Sequence, residues 1–427
     1  MNSKHFFIYF HFCPLHAQME QKSRLNGMFA EEFHGFAGLR FDTTNFKLCS
    51  ESLALLPPVS VLNLISSMKL LFLILSLVSI PLSTYAQTKE IANLPASSPE
   101  EAGFNKDSIH ALTDTLSKFR QRDFRGLIVI KNNKLVLENY YNTFWRNHIH
   151  DIRSAGKSIT ALLLGVAIKD GLVRNVDQDV YSFFPKEKYP AMHEDYKKVK
   201  LIHLLNMVSG LDADSDNPKT PGSEGKWIAK DEWVKYLLSV PLSRKPGEKW
   251  VYADINAVLI GAIIEEKSGM SLRDFARQKV FDPLEINEFY WYTNAANQTG
   301  AAGNLYLSTL DFAKLGLLVA NKGKWGNQQL ADPDYMNRLL NEHSTAIGNY
   351  NPLADEYGML WYRSSRTFGK RKVNYLWASG NGGNHLVIVP QENMVIAMTS
   401  GAYGNWYPHQ RAYFILSKVV QALEKKE

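Results

Sequence analysis

Ser154 and Lys157, in the run Asp151-Ile-Arg-Ser-Ala-Gly-Lys-Ser-Ile-Thr-Ala, set a hydroxyl and an amine three residues apart at the start of an apolar stretch. On a helix the two side chains share one face and lie within mutual reach. Serine attacks carbonyls poorly unless a base removes its proton. A lysine whose pKa is depressed by burial and by the positive end of a helix performs that task near neutral pH. Two residue types at one spacing also recur by chance, so the pair acquires meaning only from what accompanies it.

Two other readings of this neighbourhood fail on spacing. Gly156-Lys157-Ser158 resembles the end of a phosphate-binding loop, but Asp151 stands where the first glycine must be. His148-Ile-His150-Asp151 opens like a metallo-hydrolase cluster, yet Ile152 and Arg153 occupy the next ligand positions. Neither His-Glu-x-x-His nor a cysteine cluster occurs elsewhere, so neither metal nor organic cofactor is expected. The histidines read as part of a polar strand-to-helix connection.

A second element follows in order. Tyr252-Ala-Asp254 lies on a loop, after Pro246-Gly and before the apolar run Ile255 to Ile264. Leu204-Leu-Asn-Met-Val-Ser-Gly stands before it, and Phe281-Asp-Pro-Leu and Gly303-Asn-Leu-Tyr-Leu-Ser-Thr-Leu-Asp come after it. Taken together, residues 97 to 420 resemble the penicillin-recognising serine hydrolases: class C β-lactamases, penicillin-binding DD-peptidases and related esterases and amidases. In that family Ser-x-x-Lys is followed by Tyr-x-Asn and then by Lys-Thr-Gly on a strand beside the site. Here Asp254 replaces the asparagine, and Ala378-Ser379-Gly380 stands at the third element with alanine in place of the cation. This variant is similar to the branch holding esterases and 6-aminohexanoate-oligomer hydrolases.

The resemblance implies a β-lactamase/transpeptidase-like α+β fold and an acyl-enzyme on Ser154, with Lys157 and Tyr252 sharing the proton traffic. It implies an oxyanion site between the N–H of Ser154 and that of Asn381, beside Ser379 and Gly380. Asp254, negative and close to Lys157, is expected to raise the lysine pKa and move the activity optimum to higher pH. Neutral Ala378 cannot hold a substrate carboxylate, which disfavours efficient penicillin hydrolysis. The expected substrate is a small or peptide-like amide or ester; the rival reading is a sensor that acylates without efficient turnover. Trp361, Trp377 and Tyr403 are candidate cleft aromatics, with core packing the commoner fate of such residues.

These residues need a scaffold, and the two ends of the domain supply one. Lys106 to Arg122 carries a helical stripe at Ile109, Leu112, Leu116 and Phe119. Gly126 to Ile130 and Leu135 to Tyr141 flank Asn132-Asn133, a hairpin turn signal. His385 to Val389 and Met394 to Met398 read as a second hairpin, and Gln410 to Lys426 as an amphipathic helix. One antiparallel sheet built from both termini is the expectation, with a mainly helical lobe over about 154–350 inserted between them.

Composition agrees with a folded globular chain: 427 residues, 45% hydrophobic and 21% charged. The net charge of +6 is scattered, with no dense basic block for nucleic acid. Met68-Lys69, the apolar run Leu70 to Ile80 and Thr84-Tyr85-Ala86 read as a signal peptide cleaved after Ala86. The run is too short for a membrane anchor. Translation is then expected to start at Met68, with 1–67 a doubtful upstream extension, 87–96 a lead-in and 97–427 the hydrolase domain. Both cysteines, Cys13 and Cys49, fall upstream, and a periplasmic or secreted location is expected.

Overall fold

The computed structural model describes residues 94–342 and 345–424, all within one unit, Tyr85–Glu427. The leader and the extension before it lie outside the described residues. Helix α1 (Lys106–Ser117) opens the domain, capped by Asn105, whose side chain accepts the Ser108 N–H at 2.9 Å. It ends five residues before the expected Arg122, and its buried face is Ile109, Leu112 and Leu116. Strands β1 (Phe124–Lys131) and β2 (Lys134–Tyr140) form the expected hairpin, with Asn132 and Asn133 both left-handed at φ 51° and 61°. That pair of positive φ angles matches the twist of the two strands.

β3 (His150–Asp151) leads into α2 (Gly156–Lys169), after which the chain is helical and looped. This part contains α3 (Leu201–Leu205), α4 (Glu224–Trp227), α5 (Trp233–Leu237), α6 (Asp254–Ser268) and α7 (Leu272–Ala276). β4 (Tyr290–Trp291) and β5 (Leu305–Leu307) pair with β3 in a small sheet ordered β3-β5-β4. Then come α8 (Thr309–Ala320), the short hairpin β6 (Lys324–Trp325) and β7 (Gln328–Gln329), and α9 (Pro333–Asn341). The chain closes with β8 (Thr345–Ala346), β9 (Glu356–Gly358), β10 (Trp361–Phe368), β11 (Arg371–Gly380), β12 (Asn384–Val389), β13 (Met394–Ser400) and α10 (Tyr407–Gln421).

The main sheet runs β2-β1-β13-β12-β11-β10-β9-β8, so the first strands pair with the last, as the apolar patterns at the two ends require. Leu127↔Met398 and Val129↔Ile396 set the register of that pairing. α8 packs on β1, β12 and β13, while α10 and α1 pack together and α10 reaches β10 and β12. α8 therefore belongs with the sheet, although its sequence lies inside the stretch read as the helical lobe. α2 and α6 are buried over most of their surfaces, which explains their apolar composition all round. They pack against each other, and their first turns carry Lys157 and Asp254.

Candidate active site

The chain reaches Ser154 through a strained turn. Arg153 has φ 55°, a conformation that costs a non-glycine residue roughly 1–3 kcal/mol when the surroundings impose it. Asp151 is what holds it: its Oδ1 accepts the Arg153 N–H at 2.8 Å and its Oδ2 lies 3.1 Å from Nε. The Arg153 guanidinium also stacks over the Tyr403 ring at 4.3 Å. Ser154 follows in a single 3-10 turn, Arg153–Ala155, that runs straight into α2. Gly156 opens that helix because the 300–304 segment presses on it: a Cβ there would stand 3.2 Å from the Gly303 Cα.

Lys157 is one turn on and 2% exposed. Its Nζ donates to Ser154 Oγ at 3.0 Å and to the Ala302 carbonyl at 2.8 Å, and it lies 2.7 Å from Asp254 Oδ1. An ammonium has three N–H donors and no acceptor, so these three partners use it completely. Burial alone would depress the Lys157 pKa, but the Asp254 carboxylate, then Tyr252, outweigh it and raise it. The expectation of a lysine depressed by burial is thus overturned, and the expected effect of Asp254 is the one that wins. Nζ also lies 5.0 Å from the centroid of the Tyr252 ring.

Tyr252 and Asp254 are placed by a loop that Met207 and Ser215 fasten. Val251 N–H donates to the Met207 carbonyl, Ser215 N–H to the Tyr252 carbonyl, both at 2.9 Å, and Asp254 N–H to Ser215 Oγ at 3.0 Å. Asp254 then occupies the first turn of α6, where a negative charge is favoured. The Tyr252 ring stacks on Tyr350 at 5.7 Å and meets Tyr357 edge-on at 6.1 Å.

The third element arrives on β11. Its ladder with β10 stops at Tyr362↔Trp377, because Met359 and Leu360, at φ 53° and 60°, turn the preceding chain toward α2. There the Leu360 carbonyl accepts from Ser158 Oγ at 2.6 Å. Ala378, Ser379 and Gly380 consequently pair with β12 alone. Gly380 is required by close approach, since a Cβ would lie 1.9 Å from the Ile152 carbonyl oxygen. Asn381 follows, its Oδ1 accepting the Gly404 N–H at 2.7 Å.

A cavity of about 180 Å³ joins these parts. Ser154, Lys157, Asp254 and Asn381 line it together with Arg153, Glu224, Trp227, Asn304 and the backbone of 300–303. Tyr252, Ser379 and Gly380 do not line it: Tyr252 lies beside Lys157, and Ser379 and Gly380 precede Asn381 on the strand. Trp361 and Trp377 are core residues; Trp377 stacks on Tyr362 and His385. Tyr403 supports Arg153 and donates to the Asp151 carbonyl at 3.2 Å. None of these three aromatics lines the cavity: the two tryptophans are covered by core packing, and the half-buried Tyr403 lies behind Arg153.

Two cavity residues carried no usable pattern in the sequence. Glu224 stands in a loop-rich stretch without periodicity, and Arg153 differs from an ordinary surface arginine only by its φ. Asn304 lies within the Gly303-Asn-Leu segment already singled out. Among the described residues no group of three or more His, Cys, Asp or Glu is arranged to hold a metal ion.

Comparison with known proteins adds the relationship. The sequence profile of the Beta-lactamase family matches residues 112–419, most of the described domain. The chain belongs to the beta-lactamase family. A candidate D-alanyl-D-alanine carboxypeptidase of Salmonella typhimurium is 24% identical over 237 residues, 50% of this chain and 54% of that protein. The chain therefore spans about half the length of the curated relatives it matches. A candidate 6-aminohexanoate-dimer hydrolase from Bacillus anthracis superposes with a TM-score of 0.61 at 17% identity, covering 79% of this chain and 90% of that one. A D-amino acid amidase from Ochrobactrum anthropi gives 0.56 at 17% identity, over 74% and 98%. The fold is β-lactamase/transpeptidase-like, and the chain is a serine-hydrolase-type member of its family.

Proposed function

We propose that this protein cleaves an amide or ester through an acyl-enzyme on Ser154, with Lys157 and Tyr252 as the proton-transfer pair. The observation that carries this reading is the bond from Lys157 Nζ to Ser154 Oγ at 3.0 Å on the wall of a cavity. Ser154 Oγ bonds to the substrate carbonyl carbon as its proton passes to the pair. The pair then gives a proton to the leaving amine or alcohol, and water releases the acyl group by the reverse route. The backbone N–H groups of Ser154 and Asn381 are the proposed oxyanion donors; losing one such donor costs about 2.7–4 kcal/mol.

Lys157 with all three donors engaged is an acid, not a base. The pair must shed one proton before it can take another from Ser154, and Asp254 resists that loss. Activity should therefore rise toward alkaline pH. Ala378, buried and neutral, gives no counter-charge to a carboxylate, so penicillin hydrolysis should be weak. The unpaired edge of Ala378 to Gly380 suits the backbone of a peptide-like acyl group. By its leader, Met68 to Ala86, the protein would act in the periplasm or outside the cell.

The test is intact mass, followed in time, of the chain mixed with a neutral p-nitrophenyl ester beside Ser154→Ala. An adduct of one acyl mass that decays with product release, absent from the variant, is expected. The tight Lys157–Asp254 pair favours a second reading, a sensor whose acyl group persists, and a long-lived adduct would select it. An adduct equally present in Ser154→Ala removes both.

A further inference from the structure

We infer that Tyr350 is a positioning residue for proton transfer: its ring, laid against the ring of Tyr252, holds the phenol beside Lys157 and so sets how readily poor leaving groups are expelled. This rests on the Ser154 acyl-enzyme reading.

The main chain around Tyr252 is fixed by the Met207 carbonyl, which accepts from Val251, and by the Ser215 N–H. Its side chain is not fixed by them, because a tyrosine still turns about two bonds beyond the backbone. Among the described residues three rings meet it: Trp250 at 6.2 Å and 45°, Tyr357 at 6.1 Å and 80°, and Tyr350 at 5.7 Å and 25°. Trp250 belongs to the same loop and travels with it. Tyr357, on β9, is a core residue that touches Tyr252 edge-on. Tyr350 makes the one near-parallel contact, and it reaches Tyr252 from the 347–355 loop between β8 and β9.

Tyr350 is itself held. Trp250 meets its ring at 4.7 Å and 67°, its N–H donates to the Ile347 carbonyl at 3.2 Å, and its hydroxyl faces the Asp216 carboxylate. Asp216 follows Ser215, whose N–H and Oγ fasten Tyr252 and Asp254. Buried Ile347 and Ala354 root the loop at its two ends. Core packing does not explain the placing of Tyr350, since 41% of the residue stays exposed. Trp145, Tyr290, Trp406, Tyr407 and Phe414 are exposed as well, yet among the described residues Tyr350 alone of this group makes ring contact with the proposed proton-transfer pair.

The chemistry gives this contact a signature. When the tetrahedral intermediate collapses, the bond from the carbonyl carbon to the leaving oxygen or nitrogen breaks, and its electron pair goes to that atom. An alkoxide or amide anion needs a proton from the pair as it departs, whereas nitrophenolate, its charge spread over the ring, leaves without one. A Tyr252 hydroxyl out of place should therefore cost an alkyl ester more than a nitrophenyl ester.

The experiment compares kcat/KM of the full chain for the methyl and the p-nitrophenyl ester of the same short acyl group. In Tyr350→Ala the ratio of methyl to p-nitrophenyl kcat/KM should fall about tenfold, the upper range for loss of an aromatic pair. Tyr350→Leu, which fills the space without a flat ring, should show the same fall, and Tyr350→Phe, which keeps the ring, should hold the ratio at the wild-type value. In a Tyr252→Phe background Tyr350→Ala should change the ratio by no more than about twofold, because residues that act through one another are not additive. A merely structural role would slow both esters alike and persist in that background, and either result overturns the inference. An unchanged ratio in Tyr350→Ala, with a Ser154-dependent ester adduct intact, also overturns this inference alone. Absence of any Ser154-dependent adduct or turnover in the wild type overturns the acyl-enzyme reading and this inference with it.

Discussion

Two buried lysines, Lys157 and Lys314, have the same pattern of pairing, and the proposed chemistry falls on only one of them. Lys314, on α8, is 7% exposed and lies 2.9 Å from Asp311 Oδ1, with the Leu284 and Glu285 carbonyls accepting at 3.1 and 3.3 Å. Lys157 has the same number of partners and is equally covered. Both therefore satisfy the rule that a buried charge must be paired and fully hydrogen-bonded. The difference is the identity of one acceptor: Lys314 meets two main-chain carbonyls, whereas Lys157 meets one and the Ser154 hydroxyl. Burial and pairing alone thus do not set apart the lysine proposed for proton transfer. A hydroxyl on the edge of open space does.

The comparison breaks or holds on substitutions. Lys157→Met and Tyr252→Phe should each lower the rate of Ser154 acylation by about 10²–10⁴-fold, read by stopped-flow release of nitrophenol. Lys314→Met should keep its acylation rate within about threefold while losing roughly 3 kcal/mol of stability in urea, because Asp311 is left buried without its partner. A collapse of activity in folded Lys314→Met would remove the distinction between the two lysines. The finer effect concerns Asp254. In Asp254→Asn the carboxylate that raises the Lys157 pKa is gone and burial prevails, so the acid limb of the pH–rate profile should move to lower pH by about one unit or more. The variant should then be more active than wild type near neutral pH; an unmoved limb would show that Asp254 does not govern the proton of the pair.

The parts of the architecture that were legible in the sequence are those with strong periodicity. The β1–β2 hairpin follows from Asn132-Asn133 between apolar runs, and β12, β13 and α10 follow from patterns at the other end. α8 could not be assigned to the sheet, since its apolar residues describe a buried helix without naming the partner. Among site residues, Ser154, Lys157, Tyr252, Asp254 and Asn381 stood out through order and resemblance. Glu224 did not, because only the fold brings its loop-rich stretch to the cavity wall. Trp361 and Trp377 misled for the complementary reason, aromatic residues being equally suited to a core and to a cleft.

What the sequence determined by itself is therefore the local chemistry: a hydroxyl and an amine one helical turn apart, and a tyrosine before a second helix. Neighbours three or four apart on a helix meet whatever the rest of the chain does, so that much needs no tertiary information. The protonation of Lys157, the parting of β11 from β10 beyond Trp377 and the place of Glu224 on the cavity wall were decided only in the folded molecule. Each depends on groups far apart in the chain, Lys157 with Asp254 and Ala302, Ile152 with Gly380, Glu224 with Ser154 and Asn381. Electrostatic energies follow distance in space and the exclusion of water, and neither is written in the spacing of residues along a sequence.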